Sequence, residues 1–374
     1  MSSLHTYSTP PKLDESKFAV LSWPQYVWMQ AKLMVTPLVL AREILLSPFV
    51  ARSKAKSLKR VVGDSSFRYL VDYFSEPELQ SILGNSTGVY STWARKESLP
   101  ITIDELEDGG KLMWIGAQET GKNAALLSRY IQLQLEKRGL KVGIAIMSYS
   151  LVPVGQFPAP LWQTSRALEH LFSVEKVIPS NLVLVGDSAG GNLVSQVLSS
   201  MLHPLFSPPI IPARTRLQGA YMMSPWVSLT SVYTGEGEKK IFQSFAENDH
   251  CDVCSNDSLV SWGHAVLQGA PNLESDLPYL EPINAPEDWY KGLPDVVKRV
   301  FVSTGGGECL RDADRVFFEK TIKPYHGEAE YFEQEGGVHN DPFFDFQIAD
   351  GPVGTRQSLT PKILEWVWKC FEVQ

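Results

Sequence analysis

Cysteine is scarce in this chain. Its four cysteines, at 251, 254, 309 and 370 of 374 residues, are too few and too irregularly spaced for a disulfide framework. A reducing, cytoplasmic compartment is therefore the default expectation. The run His250-Cys251-Asp252-Val253-Cys254 holds one C-x-x-C pair beside a histidine, but no second ligand pair of the kind structural zinc demands. No metal and no cofactor is expected. Positive charge is not in excess either: the formal net charge of −8 argues against a nucleic-acid surface. Residues 1–17 are polar and lack the apolar core of a signal peptide. Long uncharged apolar runs are also missing. The most apolar stretch, residues 18–50, is interrupted by Lys32, Arg42 and Glu43, so it falls short of the ~18 residues a membrane span needs.

That stretch is nonetheless rich in large side chains, among them Trp23, Tyr26, Trp28, Met29, Met34 and Leu45. Pro24, Pro37 and Pro48 are expected to divide it. A basic cluster follows: Arg52, Lys54, Lys56, Lys59 and Arg60, with no acid among them. Two readings stand side by side. The segment is amphipathic and lies on a membrane surface or caps a substrate pocket, or it is a set of helices packed on the core with a solvated basic face. Residues 1–60 are thus expected to be a leader and amphipathic or cap segment ahead of a domain spanning 61–374.

Beyond residue 100, strand-like and helix-like segments alternate. Strands are expected at 112–115, 142–149, 182–185, 219–223, 299–303 and 331–333, and helices at 124–138, 162–171, 193–202 and 361–371. A further helix is expected at 67–79, and residues 84–100 read as loop or an early strand. Such alternation specifies an α/β fold with a doubly wound, mostly parallel sheet. It breaks between about 230 and 297, where Pro, Asn, Asp and aromatics concentrate, and this part reads as a cap insertion. Ten Trp and 17 Phe suit large apolar pockets, although cores use aromatics too.

The chemistry concentrates around Gly186-Asp187-Ser188-Ala189-Gly190. An apolar strand runs into G-x-S-x-G and out into a helix, the pattern of a nucleophile elbow. Gly186 and Gly190 are expected to flank Ser188 because so tight a turn leaves room for only small neighbours. The turn lifts the Ser188 hydroxyl to a helix N-terminus, where backbone N–H groups face a developing anion.

A serine nucleophile needs a base, and the base needs an orienting acid. A strand at 299–303 enters Gly305-Gly306-Gly307-Glu308, with Asp312 as a rival acid further on. A strand at 331–333 enters Gly336-Gly337-Val338-His339, and His339 is alone among the seven histidines in following a last strand through such a turn. The candidate site is therefore Ser188, Glu308 and His339, all at the carboxyl ends of strands.

These motifs, with Tyr149-Ser150-Leu151-Val152-Pro153, Phe157-Pro158-Ala159, Ser224-Pro225-Trp226 and Glu308-Cys309-Leu310-Arg311-Asp312, resemble the hormone-sensitive-lipase-like branch of the α/β-hydrolases. Within that branch the chain is most similar to fungal steryl acetyl hydrolase-like enzymes, including those of natural-product pathways. The resemblance runs from about residue 112 to the end and implies ester hydrolysis through an acyl-enzyme, with an apolar acyl site and a hydrophobic small-molecule substrate. It departs at one place. Where the branch carries His-Gly-Gly-Gly, this chain has Ile115-Gly116-Ala117-Gln118. Oxyanion donors are then expected from Gly116, Ala117 and Ala189. The departure also keeps open a repurposed fold catalysing a condensation, cyclisation or retro-aldol-type step, with His339 as base and Ser188 as a hydrogen-bond donor.

Overall fold

The computed structural model describes residues 5–49, 56–115, 124–234, 239–348 and 358–372. A helical N-terminal part comes first: α1 (Trp23–Leu46), α2 (Leu58–Tyr73), α3 (Glu76–Leu83) and α4 (Ser86–Lys96). Ser22 and Gln25 form a capping box on α1, with Pro24 in its first turn, where a missing N–H costs nothing. Pro37 does not divide the segment as expected. The helix continues through it, and Met29, Leu33 and Val39 join Tyr69 and Leu70 of α2 and Phe74 at its end in one apolar cluster. The helix expected at 67–79 is two helices, separated where Ser75 and Glu78 cap α3. Within 84–100, expected as loop or an early strand, residues 86–96 form a helix, and only the ends of the range are irregular. Asn85 caps α4, accepting from the Gly88 N–H at 2.7 Å, and Tyr90, Trp93 and Ala94 bury one helical face.

The α/β part follows as β1 (Ile103–Glu105), β2 (Lys111–Ile115), α5 (Ala124–Lys137), β3 (Ile144–Ser148), α6 (Ala159–Ser173), β4 (Val183–Asp187), α7 (Ala189–Leu202) and β5 (Gly219–Met223). Residues 230–297 hold a short hairpin, β6 (Val232–Tyr233) and β7 (Lys240–Ile241), then α8 (Ser244–Glu247), α9 (Asn256–Gln268), α10 (Leu273–Leu280) and α11 (Leu293–Val296). The chain closes with β8 (Val300–Gly305), α12 (Arg311–Val316), β9 (Ala329–Gln334), α13 (Asp341–Gln347) and α14 (Thr360–Phe371).

Strands β4, β5, β8 and β9 form a parallel sheet in that order. Alternate residues of β5 show how it is wound. Ala220 and Met222 join the core that contains α7, while Tyr221 and Met223 join the one containing α5 and α14. Both faces are covered, which is why β5 is buried along its whole length. Strands β2 and β3 differ from expectation: they pair antiparallel, in a separate three-stranded sheet with β1. Period-2 patterning marks a strand without fixing its partner's direction. Here the Gln132 amide on α5 donates to Ile115 O at 3.2 Å and to Val142 O at 2.9 Å, holding the end of β2 beside the approach to β3. Among the described residues no helix is long and apolar enough to cross a membrane.

Candidate active site

Ser188 directly follows β4 and caps α7 with φ 52° and ψ −119°, a positive-φ backbone that a serine rarely adopts. The turn is pinned on two sides. Ser188 N–H donates to Met223 O at 2.9 Å, and Ser188 O accepts from the N–H groups of Asn192 and Trp226 at 3.0 Å. Room is scarce at Gly186, where a Cβ would stand 2.2 Å from Gly190 O. At Gly190 itself a Cβ would meet nothing within 4 Å. The expectation of two sterically required glycines is thus corrected: the close approach is of Gly190's backbone onto Gly186. Ala189 opens α7, so its N–H lacks an intrahelical acceptor beside the Ser188 side chain. Gly116 and Ala117 lie outside the described residues.

The acid and base sit on turns that fold against each other. Gly307 N–H donates to Gly337 O at 2.7 Å and Gly306 N–H to Gln334 O at 2.8 Å. A Cβ at Gly305 would stand 2.4 Å from Gly337 O, so this contact needs the glycine. It brings Glu308 Oε2 to 2.9 Å from His339 Nδ1, with both residues buried. Glu308 Oε1 accepts from the Gly305 N–H at 2.8 Å and from the Thr304 hydroxyl. Asp312 points elsewhere, accepting from the Ser244 N–H at 2.9 Å and pairing with Arg311. Burial pulls the His339 imidazolium down, but the hydrogen bond and charge of Glu308, helped by Asp252 and Asp187, carry its pKa above the ordinary value.

His339 and Ser188 approach through their neighbours. The Asn340 amide donates to Asp187 Oδ2 at 3.0 Å, and Asn340 N–H reaches Ser224 Oγ at 3.3 Å. Among the described residues no hydrogen bond joins Ser188 Oγ to His339 Nε2, a contact that sites without substrate often leave long.

Three residues of this region escape sequence reasoning. Asp252, within the run weighed above as a metal site, is buried; its Oδ1 accepts from His339 N–H and its Oδ2 from Cys309 N–H, both at 2.8 Å. Burial, and then the Glu308 charge against the opposing pull of His339, push it up to about 6. Asp341 accepts from Val338 N–H at 2.9 Å, and Arg60 of α2 reaches it at 2.6 Å. Arg60 also meets Asp64 at 2.6 Å and is partly buried, so this end of the basic cluster is paired and not a solvated face.

Two cavities meet at the elbow. One of about 330 Å³ lies between α3, α7 and α9, and one of about 650 Å³ lies between β3, β4 and α5. Ser188 lines the larger, and Tyr149, Ala189 and Leu193 line both.

A buried carboxylate–imidazole pair, beside a strained serine on a strand-to-helix turn of a doubly wound sheet, is an arrangement suited to acyl transfer. A family model described as the alpha/beta hydrolase fold matches residues 137–342, more than half of the chain, and the protein belongs to that family. Among solved structures, a mutant of the esterase E40 superposes with a TM-score of 0.59 at 20% identity, covering 85% of this chain and 99% of its own. An esterase from the bacterial hormone-sensitive lipase family gives 0.57 at 20% identity, covering 85% and 100%. The hormone-sensitive lipase homologue EstE7 from a metagenome library gives 0.55 at 15%, covering 89% and 99%. No curated protein matches the chain.

Proposed function

We propose that the protein is a serine carboxylesterase acting on a hydrophobic small-molecule ester, a specialised metabolite in kind, through Ser188, His339 and Glu308. His339 Nε2 takes the proton of Ser188 as its Oγ attacks the ester carbonyl. Glu308 holds the Nδ1–H and stabilises the imidazolium that forms. The Ala189 N–H faces the oxyanion, joined by donors from the Gly116-Ala117 segment. Collapse expels the alcohol, which takes the proton from His339, and the serine is left acylated. A water, deprotonated by His339, then attacks the acyl carbon and frees the acid and Ser188.

The observation that carries this reading is the buried 2.9 Å pair of Glu308 and His339 on the strand edge that presents Ser188. Support also comes from the esterases among the structural neighbours. A fluorophosphonate probe tests it: labelling of wild type, lost in Ser188→Ala, is expected. Absence of labelling, together with turnover retained in Ser188→Ala and lost in His339→Ala, would favour the non-hydrolytic alternative, in which His339 acts alone as base.

A second proposal concerns α1. Trp23, Trp28, Met34 and Leu38 are each at least 65% exposed on this helix, an apolar ridge that suits peripheral contact with a lipid surface.

A further inference from the structure

A histidine and two carboxylates meet where the end of α6 lies against β1. His170 Nε2 stands 3.6 Å from Asp104 Oδ2 and 3.9 Å from Glu175 Oε1, and one ligand atom of each residue lies within 4.8 Å of the other two. Local structure puts them there. His170 occupies the last turn of α6, and the Glu175 N–H donates to His170 O at 3.2 Å, so the turn leaving the helix carries Glu175 beside the imidazole. Val177 N–H closes that turn on Leu171 O at 2.9 Å. Asp104 comes from β1, where the indole N–H of Trp114 on β2 donates to its Oδ2 at 2.6 Å and orients the carboxylate. His170 Nε2 is enclosed and has no hydrogen-bond partner among the described residues.

The spacing is informative. An imidazolium between two acids closes to ~2.7–2.9 Å on one of them. A cation held at ~2.0–2.2 Å by each ligand atom keeps those atoms ~3–4 Å apart. The separations of 3.6 and 3.9 Å are of the second kind. Charge agrees. Among the described residues the one ion-pair partner of Asp104 or Glu175 is His170. Neighbouring cations are engaged elsewhere: Lys111 with Glu105, Arg166 with Glu169, and Lys176 with Ser173 O. The His170, Asp104 and Glu175 side chains are 22%, 26% and 27% exposed, which leaves an opening for water as a fourth ligand. We infer that Asp104, His170 and Glu175 form a site for a divalent transition metal of the zinc type, fastening β1 to the end of α6. One nitrogen and two carboxylates suit Zn²⁺, whereas Ca²⁺ takes more oxygens and Mg²⁺ keeps more of its water. None of the three residues lines either cavity at the elbow, so the ion is structural and the inference is independent of the esterase reading.

Full-length protein, stripped with a chelator and dialysed, tests this with the metals alone. Calorimetry is expected to show one Zn²⁺ bound per chain. At a hundredfold excess over its Kd, Zn²⁺ should raise Tm by about 3 °C. Mg²⁺ at the same concentration should leave Tm where it was. Co²⁺ should give visible d–d absorption that added Zn²⁺ bleaches. His170→Ala and Asp104→Asn should each weaken Zn²⁺ binding by about tenfold or more and cancel the rise in Tm. His250→Ala separates this site from the cysteine run and should bind Zn²⁺ as wild type does. Binding that survives His170→Ala and Asp104→Asn, or that is lost in His250→Ala alone, would overturn the inference. Absence of both Zn²⁺ binding and a Co²⁺ spectrum overturns it too, and leaves the three groups an ordinary ion-pair network. Should His170→Ala fail to fold, Glu175→Gln keeps the side-chain shape and must show the same loss of binding.

Discussion

Asp252 receives the backbone N–H of His339 on one carboxylate oxygen and that of Cys309 on the other, each at 2.8 Å. The segment before α9 thereby ties the turn of the acid to the turn of the base. Asn248 adds to the same fastening by donating to Glu308 O at 2.8 Å. In Asp252→Asn, one of the two loops would face an NH2 group in place of an acceptor, leaving a buried N–H unmet at about 1–3 kcal/mol. We expect kcat to fall about tenfold with KM nearly unchanged, and the acid limb of the pH profile to move down as one negative charge beside His339 disappears. Steady-state kinetics from pH 5 to 9 check this; a KM effect alone would argue that Asp252 acts elsewhere.

The Glu308–His339 pair sets the direction of the pH dependence. The base must be neutral to work, and its pKa is raised, so kcat/KM should rise with pH through a midpoint above the ordinary histidine value of 6.5. Glu308→Gln removes the hydrogen-bonded charge but leaves the burial, so the midpoint should fall while the plateau rate drops by roughly 10²–10⁴. The same shift has a stability sign. The pair's contribution is fully present below the unfolded pKa and is lost as pH rises through the folded one. An acid limb that stays in place in Glu308→Gln would contradict the pairing.

The two glycines flanking Ser188 should behave differently. Gly186→Ala pushes a methyl group into the Gly190 carbonyl and should abolish fluorophosphonate labelling or folding altogether. Gly190→Ala enters open space, and its circular dichroism and unfolding midpoint should match wild type closely. Equal damage from both would mean that the elbow is crowded on both sides.

Flotation with liposomes tests the ridge on α1. Full-length protein should float with vesicles, and the quadruple change of Trp23, Trp28, Met34 and Leu38 to serine should not, while esterase activity on a soluble ester stays within about twofold. Identical flotation of the two proteins would remove the lipid reading.

Much of this was legible in the sequence because the local signals agreed. The apolar run into Gly186-Asp187-Ser188 and the glycine turns before Glu308 and His339 each report a strand end, and strand ends share one edge of a wound sheet. What stayed hidden depends on partners distant in sequence. Asp252 lies 87 residues from His339, and Arg60 lies 281 from Asp341, beyond the reach of any periodicity. The antiparallel pairing of β2 and β3 is likewise not carried by local pattern, since period-2 alternation is the same in either direction. Helix α4 is hard to see in the sequence because Gly84 and Pro100 bound it like a loop, while its buried face rests on only Tyr90, Trp93 and Ala94.

The Arg60–Asp341 contact makes the N-terminal helices and the turn of His339 thermodynamically answerable to each other. A largely desolvated ion pair with both partners held by further bonds is costly to separate, because doing so strands two charges. Helix α2 therefore cannot leave the His339 turn without breaking this pair. Any ligand that prefers one arrangement of the first helices then changes the energy of the base turn, and occupancy of the active site acts back on those helices by the same factor.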